Sequence, residues 1–590
     1  MAKNYRNRKL VNAGFSLLFC AGLAQNSCLA SFRDEPKPTT FEELSDQYVS
    51  FVFKHSPTHA TDSGVHEYDC EIEDLSSNAL ISSAHEYEGF LKKAFELENQ
   101  IKSKQLILPV QKQVDLQLIV NDIKSNLLEL KQIRMWQKDP DLYSGLASAT
   151  IYALIKRDFA PAQVRLKDVI EREKKLPALL NAGRNNLNNP PKIYTQIALE
   201  QLPQIITFFK RDVPSAFSQV TTDPKSDPEL KKEFEKQNNN VIAQLSTYQT
   251  FLEQEVLPKS NGQFAIGKDQ FQQKLKDEES ITTPTDKLLE EGYAELHRLQ
   301  DEFRATARKV DPNKFEREVF LECSKDHPDA KELIPSVSNL LASIKVYCSD
   351  HNIVSFPTNE SLSVAETPPF MRATTFASMD SPGPFEKKAR DAFYYVTLPE
   401  SFWSKEREEE HMRFFCKYDL MNTSVHEAYP GHFVQFLFDS GLPSTVRKLF
   451  GCGSNVEGWA HYCEQMMYEQ GYGGFDERYH LIQLHDALLR ACRYIVGIKL
   501  HTQGMSVDEA MQFFMKEGYM EKANAERESK RGTKDPTYLV YTLGKLEILK
   551  LRNDYKAKKG NDFSLKEFHD AYLSQGSAPL PLVRLLLLGP

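Results

Sequence analysis

A surplus of positive charge is the first thing missing from this sequence: Asp and Glu number 82 against 73 Lys and Arg, for a net charge of −9. A protein that neutralises phosphates needs a basic patch or stripe, so nucleic acid is excluded as a partner. Cysteine is scarce, with nine in 590 residues, and no two stand in a CxxC pair. The thiols therefore point neither to a cysteine-rich structural zinc site nor to a disulfide framework, which a chain of this length does not need. Long apolar runs are missing too. The stretch from Leu582 to Leu588 is short and interrupted by Arg584, which reads as packing rather than a membrane span. Internal repeats and low-complexity tracts are absent, and Gly-rich hairpin signals are few.

What is present begins with an export signature. Lys3, Arg6, Arg8 and Lys9 precede a short apolar run from Ala13 to Ala24, and small residues follow, with Cys28-Leu-Ala30 as a cleavage end. That order is the order of a secretory signal peptide over residues 1–30. Phe19 before Cys20 fits a lipid-attachment site poorly. The expected product is exported to the periplasm or the extracellular space, with no stable membrane insertion after signal removal.

Apolar residues recur at three and four, the helical period, across Ile101–Trp136, Asp286–Val310, Tyr479–Gln503 and Val507–Glu517. Ser506-Val-Asp-Glu509 has the form of a capping box at the start of the last of these. Breakers fall at Asn188–Pro191, Thr222–Pro224, Pro258–Gly267 and Pro382–Pro384. Strand material is limited to Ala392–Leu398, aromatic and β-branched ahead of Pro399, a candidate for lining a cleft. The charge run Glu406–Arg413 reads as a solvated helix face. A mainly α protein with a small β-sheet is expected. A boundary near residue 280, at Ile281-Thr-Thr-Pro-Thr285, separates an N-terminal helical lobe over 31–280 from a second lobe over 281–590, or two parts of one continuous fold.

The informative chemistry lies in residues 424–438, where apolar side chains surround His426, Glu427 and His432. Burying an ionised carboxylate without a partner is costly, and a dication would supply one. In the common zinc-peptidase helix, His-Glu-x-x-His sets two imidazoles about 40° apart at i and i+4. Here the histidines are six positions apart, roughly 120° out of phase on an unbroken helix. Pro430 and Gly431 immediately precede His432. Proline removes a ladder hydrogen bond and glycine tolerates the resulting backbone, so a kink or bulge there is required to bring His432 to the face of His426. A third ligand is available 25 residues on, at Glu457. It shares a helix face with His461 and Glu464, opposite an apolar stripe of Trp459, Ala460, Cys463, Met466 and Met467. His426, His432 and Glu457 then make a His, His, Glu set for one zinc ion with a position open for water, with Glu464 orienting a ligand from behind. His461 is also at ligand spacing from Glu457 and competes for a role. On spacing alone a structural His-Glu pair and a solvated acidic face remain alternatives.

His426-Glu-Ala-Tyr-Pro-Gly-His432 followed by Glu457-Gly-Trp-Ala-x-Tyr-x-Glu464 resembles the DUF885 proteins, a bacterial group related to the M2, M3 and M32 zinc metallopeptidases. Further matching segments are Ala60-Thr-x-x-Gly64-x-His66-x-Tyr68-Asp69, Ala377–Phe385, Leu500-His501-x-x-Gly504, and Pro536 with Tyr541-x-x-Gly544. The resemblance runs from about residue 40 to the C-terminus. It implies a two-lobed helical metallopeptidase-like shell around a deep cleft, with the metal site in the 281–590 lobe. It implies His426, His432 and Glu457 as ligands of Zn2+ and Glu427 as general base. Thr542 and His461 depart from the family pattern, which commonly has a lysine and an apolar residue there.

The chemistry so implied is peptide hydrolysis by metal-activated water, acting on short peptides. Glu427 would take the water proton and pass it to the leaving amine. Tyr541, with Tyr538 and His501 as alternatives, would donate to the developing oxyanion. Arg490 and Arg493 are candidates for holding a substrate carboxylate, against the alternative of structural ion pairs. His66 with Asp69 is a candidate for lining the cleft. A metal-dependent amide or ester hydrolase on a non-peptide substrate is the nearest competing function. A non-catalytic binding protein would be marked by a lost ligand or base, and none is lost.

Overall fold

The structure, a computed structural model, describes residues 40–222, 227–357, 362–367, 376–400 and 402–589. The signal-like segment 1–30 lies outside the described residues, as does part of the breaker at Thr222–Pro224. Helix α1 (Phe41–His55) starts where its cap dictates. Thr40 Oγ1 accepts from the Glu43 backbone N–H at 3.2 Å, and Glu43 Oε2 accepts from the Thr40 N–H at 2.9 Å, which satisfies two donors that the helix leaves open. Helix α2 (Pro57–Asp62) opens on a proline, whose missing N–H is no loss at that position. Helices α3 (Val110–Leu128), α4 (Asp141–Ile155) and α5 (Ala162–Asn186) follow. The stretch Ile101–Trp136, read as helical in period, is interrupted. Residues 103–109 are non-helical: Lys104 turns to a positive φ of 58°, and Pro109 disfavours a helical residue before it and itself caps α3.

Helix α6 (Thr285–Val310) agrees with its sequence period. The one small sheet among the described residues is built from β1 (Leu362–Glu366), β2 (Ala377–Asp380) and β3 (Ala392–Val396) in the order β1-β3-β2. β1 runs parallel and β2 antiparallel to β3, with Val364 and Met379 both in register with Tyr394. β3, the strand read from the sequence, is central and mostly buried, and β2 is left as an edge. Helices α7 (Lys417–Glu427), α8 (His432–Ser440), α9 (Gly453–Glu469) and α10 (Glu477–Thr502) carry the His426–His432 and Glu457–Glu464 motifs and their support. They are followed by α11 (Val507–Glu517), α12 (Lys522–Lys534) and α13 (Val540–Lys559). The Ser506 cap closes on Glu509 in both directions, at 2.8 and 3.2 Å. The molecule is mainly α.

The largest apolar core joins residues from 41–123 to residues from 296–583, and a second core is drawn almost wholly from 75–256. α10 runs through the largest core, with Leu488, Ala491, Cys492, Ile495 and Val496 fully buried. Burial of such side chains stabilises a fold by about 1.5–3 kcal/mol each, which is what allows charged groups to be held beside them. Among the described residues seven cysteines carry free thiols, all but Cys70 buried. Among the described residues no helix is long and apolar enough to cross a membrane.

Candidate metal centre

The kink required by the histidine spacing is a complete break. α7 ends at Glu427 and α8 begins at His432, and the intervening residues continue neither helix. The Tyr429–Pro430 peptide bond is cis. The Gly431 N–H donates to Val425 O at 3.1 Å, and a Cβ on Gly431 would stand 1.9 Å from His426 O. Only glycine permits the chain to fold back so closely on the end of α7. Trp459 of α9 donates its indole N–H to Pro430 O at 2.9 Å and fixes the break from the opposite side. The two imidazole rings come to lie 4.8 Å apart and nearly perpendicular. Each Nε2 is 3.6 Å from Glu457 Oε2.

Glu457 is delivered by the crossing of α9 over α13. A Cβ on Gly458 would meet Gly544 Cα at 2.5 Å, and one on Gly544 would meet Ser454 O at 1.9 Å. The two helices therefore touch backbone to backbone, one residue from Glu457 and one turn from Tyr541. The start of α9 is held by a carboxylate from far away in sequence: Glu279 accepts from the Gly453 and Ser454 N–H groups at 3.2 and 3.0 Å. A negative charge there also suits the helix dipole.

Glu464 is fully buried and stands behind the histidines. Its Oε1 is 2.6 Å from His426 Nδ1 and 2.8 Å from Arg490 Nη2, and its Oε2 is 3.2 Å from His461 Nδ1. An ionised carboxylate only accepts, so Nδ1 of His426 carries a proton, and Nε2 is the nitrogen that faces Glu457. His461 thus turns to Glu464 rather than competing for the centre. Burial, reinforced by Lys545, pushes it down to about 3 against the pull of Glu464, which keeps it neutral.

The electrostatics favour positive charge between the three side chains. Burial opposes charge on His426, yet the carboxylates of Glu457 and Glu464 beside it outweigh burial and push the imidazole up to about 9. Burial would also raise Glu457, but His426 and His432 hold it well below the usual carboxylate range. Glu457 Oε2 and His432 Nδ1 are buried without a hydrogen-bond partner. One ligand atom from each of His426, His432 and Glu457 lies within 4.8 Å of the others, which no other such group among the described residues achieves. Two imidazole nitrogens and a carboxylate oxygen in a buried recess fit the donor set of a hydrolytic zinc ion.

Glu427 sits beside this set. Its Oε2 accepts from the Met379 backbone N–H of β2 at 3.1 Å, while Oε1 is buried and unpartnered. Tyr541 is 3% exposed. Burial raises its phenol, Arg531 opposes, and the charge of Glu457 adds to the rise; its ring lies 5.9 Å from Arg490, which meets Glu464 behind His426. Arg531 Nη2 donates to the Tyr541 oxygen at 3.1 Å. Tyr538 packs instead against Gly497 and Gly532. His501 bonds Gly532 O at 2.8 Å. It lies eleven residues beyond Arg490 on α10, roughly 16 Å along the helix axis, so the oxyanion role considered for it has no geometric support. Arg490 is engaged by Glu464, and Arg493 is gripped by Glu528 through two bonds of 2.7 and 2.8 Å. The two arginines considered for substrate are therefore already paired with protein carboxylates.

His66 belongs to a clasp. Its ring nitrogens are 2.9 Å from Asp69 Oδ2 and 2.9 Å from Glu386 Oε2, and it stacks on Phe159 at 3.9 Å. Burial works against its charge, but Asp69 and Glu386 prevail and raise it. Phe385 N–H donates to Ser63 O at 2.9 Å, and Asp380 pairs with Arg157 at 2.9 Å. The segment 377–386 thus ties the α2 region to β2 and, through Met379, to Glu427. A small cavity lined by Pro382, Pro384, Glu386, Phe433, Phe436 and Leu437 lies one helical turn from His432. The contributions of Met379 and Glu279 escape a reading of the sequence, since one acts through its backbone and the other has no local motif.

The family model described as "Bacterial protein of unknown function (DUF885)" matches residues 57–587. The chain is similar in structure to a lipoprotein candidate of unknown function from Shewanella oneidensis, at 28% identity and a TM-score of 0.76, covering 93% of this chain and 100% of that one. It shares its fold with a lipoprotein candidate from Colwellia psychrerythraea, at 18% identity and a TM-score of 0.69, covering 92% and 98%. No curated protein matches it. Matched over nearly its whole length, and with both central motifs meeting at one buried site, the chain belongs to the DUF885 family.

Proposed function

We propose that this protein is an exported zinc-dependent peptidase that hydrolyses short peptides. The observation that carries the reading is the convergence of His426 Nε2 and His432 Nε2 on Glu457 Oε2, each at 3.6 Å, with an unpartnered Glu427 oxygen alongside. His426, His432 and Glu457 would hold the ion. When bound, zinc supplies a Lewis acid for the scissile carbonyl and acidifies a water.

The protein's own groups account for the remaining chemistry. Glu464 keeps the proton on Nδ1 of His426, so Nε2 stays available as a donor. Met379 N–H holds one Glu427 oxygen, and the other takes a proton from the attacking water and returns it to the leaving amine. The Tyr541 oxygen accepts from Arg531, so its own O–H is left to donate to the developing oxyanion. Glu427, His426 and Glu457 are 2%, 3% and 5% exposed, a depth that suits a short or extended chain and not a folded surface. The signal-like start of the sequence and the lipoprotein description of two similar structures support export.

The test is metal analysis of purified wild type and Glu427→Gln, with mass spectrometry of a mixed peptide library after incubation with each. Wild type is expected to cleave, and the variant to keep its metal and lose turnover. Cleavage at the wild-type rate by the metal-loaded variant removes Glu427 as base. A wild type that leaves every peptide intact but hydrolyses acyl or ester substrates replaces the peptidase reading with the non-peptide one.

A further inference from the structure

Four guanidinium groups gather on one side of the centre, and their charges are unequally matched. Arg490, Arg493 and Arg531 lie 5.9, 5.0 and 5.7 Å from the ring of Tyr541. Arg527 stands one turn before Arg531 on the same face of α12 and covers the ring of Phe376 at 5.0 Å. Glu464 engages Arg490 at 2.8 Å, and Glu528 engages Arg493 at 2.7 Å. Arg531 has the Tyr541 oxygen at 3.1 Å and only a looser carboxylate, Asp535, at 3.6 Å. Arg527 has no carboxylate at ion-pair distance among the described residues; it donates instead to the neutral Asn524 Oδ1 at 2.9 Å.

Gathering like charges beside an apolar core is unfavourable unless an anion completes the set. The guanidinium fork is suited to a carboxylate, which it binds through two parallel hydrogen bonds. Arg527 is open to solvent and Arg531 half-buried, so the pair leads from the surface inward. Arg531 bonds the Tyr541 oxygen, and the Tyr541 ring also faces Arg490, whose guanidinium meets Glu464 behind His426. An anion between Arg527 and Arg531 is therefore linked to the His426, His432 and Glu457 side chains through Tyr541 and Arg490.

We propose that Arg527 and Arg531 form a carboxylate subsite that anchors the substrate beside the metal centre, so that the bond cut lies close to a carboxylate-bearing end of a peptide. The cleavage consequence rests on the peptidase reading above; the binding site does not. The subsite reassigns to α12 the anchoring first considered for Arg490 and Arg493, whose charges are already met.

The experiment measures binding calorimetrically on metal-loaded Glu427→Gln protein, so that turnover is not the readout. Three probes are compared: N-acetyl-trialanine as the free acid, the same peptide as its C-terminal amide, and an amide carrying glutamate in the last position. The free acid is expected to bind roughly tenfold or more tightly than the plain amide, the worth of one charge-assisted contact. Adding Arg527→Gln should reduce that preference, Arg531→Lys should retain part of it, and Arg527→Gln with Arg531→Gln should abolish it, with unfolding midpoints recorded to verify folding. Tight binding of the glutamate amide would support the subsite and identify a side-chain carboxylate as its ligand. Equal affinity for all three probes, or a preference that survives the double replacement, would overturn the proposal. A wild-type enzyme that binds the free acid yet cleaves no peptide would sink the peptidase reading and leave the subsite standing.

Discussion

Replacing Glu464 by glutamine isolates what the buried carboxylate behind the histidines does. Glu464 is fully buried and meets His426 Nδ1 at 2.6 Å, Arg490 at 2.8 Å and His461 at 3.2 Å. A glutamine keeps the volume but loses the charge, and its one oxygen cannot serve all three groups. Removing one partner of a buried ion pair destabilises by roughly 3–5 kcal/mol. Loss of a carboxylate that orients a ligating imidazole weakens metal binding about 10- to 100-fold, or about 1.4–2.8 kcal/mol. The two effects separate when Arg490→Met is added. With both charges gone, stability should recover, because apolar replacement of a whole buried pair is close to neutral. Metal affinity should stay low, because His426 still lacks its charged acceptor. Zinc affinity from chelator competition and stability from urea unfolding of the metal-free protein measure the two separately. Wild-type zinc affinity in Glu464→Gln would refute the orienting role and reduce Glu464 to a structural counter-ion.

Gly544→Ala should destabilise by about 1–3 kcal/mol, the usual range for overpacking, because its Cβ would meet Ser454 O at 1.9 Å. It should also weaken zinc binding, since α9 must retreat with Glu457; urea unfolding and chelator competition check both, and intact zinc affinity would show that the crossing does not set the ligand. The His66 clasp should be strongest between pH 4.5 and 6.5. His66 is raised above 6.5, so its contribution is full below that value and fades as pH rises through the raised value; Glu386 is lowered below 4.5, so its contribution fades only as pH falls through that lowered value. The stability difference between wild type and His66→Gln should accordingly shrink from pH 5.5 to pH 8.5, and a difference independent of pH would count against the clasp. Tyr541→Phe should lower kcat by about 10²–10³, the range for losing one oxyanion donor, with metal content unchanged; an unaffected rate removes it from that role.

Much of this arrangement was legible in the sequence because it depends on local grammar. The periods of α6, α10 and α11 and the Ser506 cap are short-range facts, and the structure reproduces them within a residue or two. The six-residue histidine spacing, with Pro430 and Gly431 inside it, required a distortion, and the break between α7 and α8 supplies it. Glu464 behind His426 followed from one helix face shared with Glu457. What stayed hidden depends on contacts distant in sequence. His501 shares a helix with Arg490, and only the helix length separates it from the centre. Arg490 and Arg493 look free until Glu464 and Glu528 are seen on them. Ile101–Trp136 keeps its apolar period across Pro109, so periodicity alone concealed the interruption.

The claim on which all else rests is that His426, His432 and Glu457 jointly hold one zinc ion. Mass-spectrometric metal analysis, after zinc loading and exhaustive dialysis, tests it most directly in the wild type and in the triple variant His426→Ala/His432→Ala/Glu457→Ala. One tightly held zinc per wild-type chain and none in the triple variant is the result predicted. A wild type that retains no metal, or a triple variant that retains as much, would contradict it.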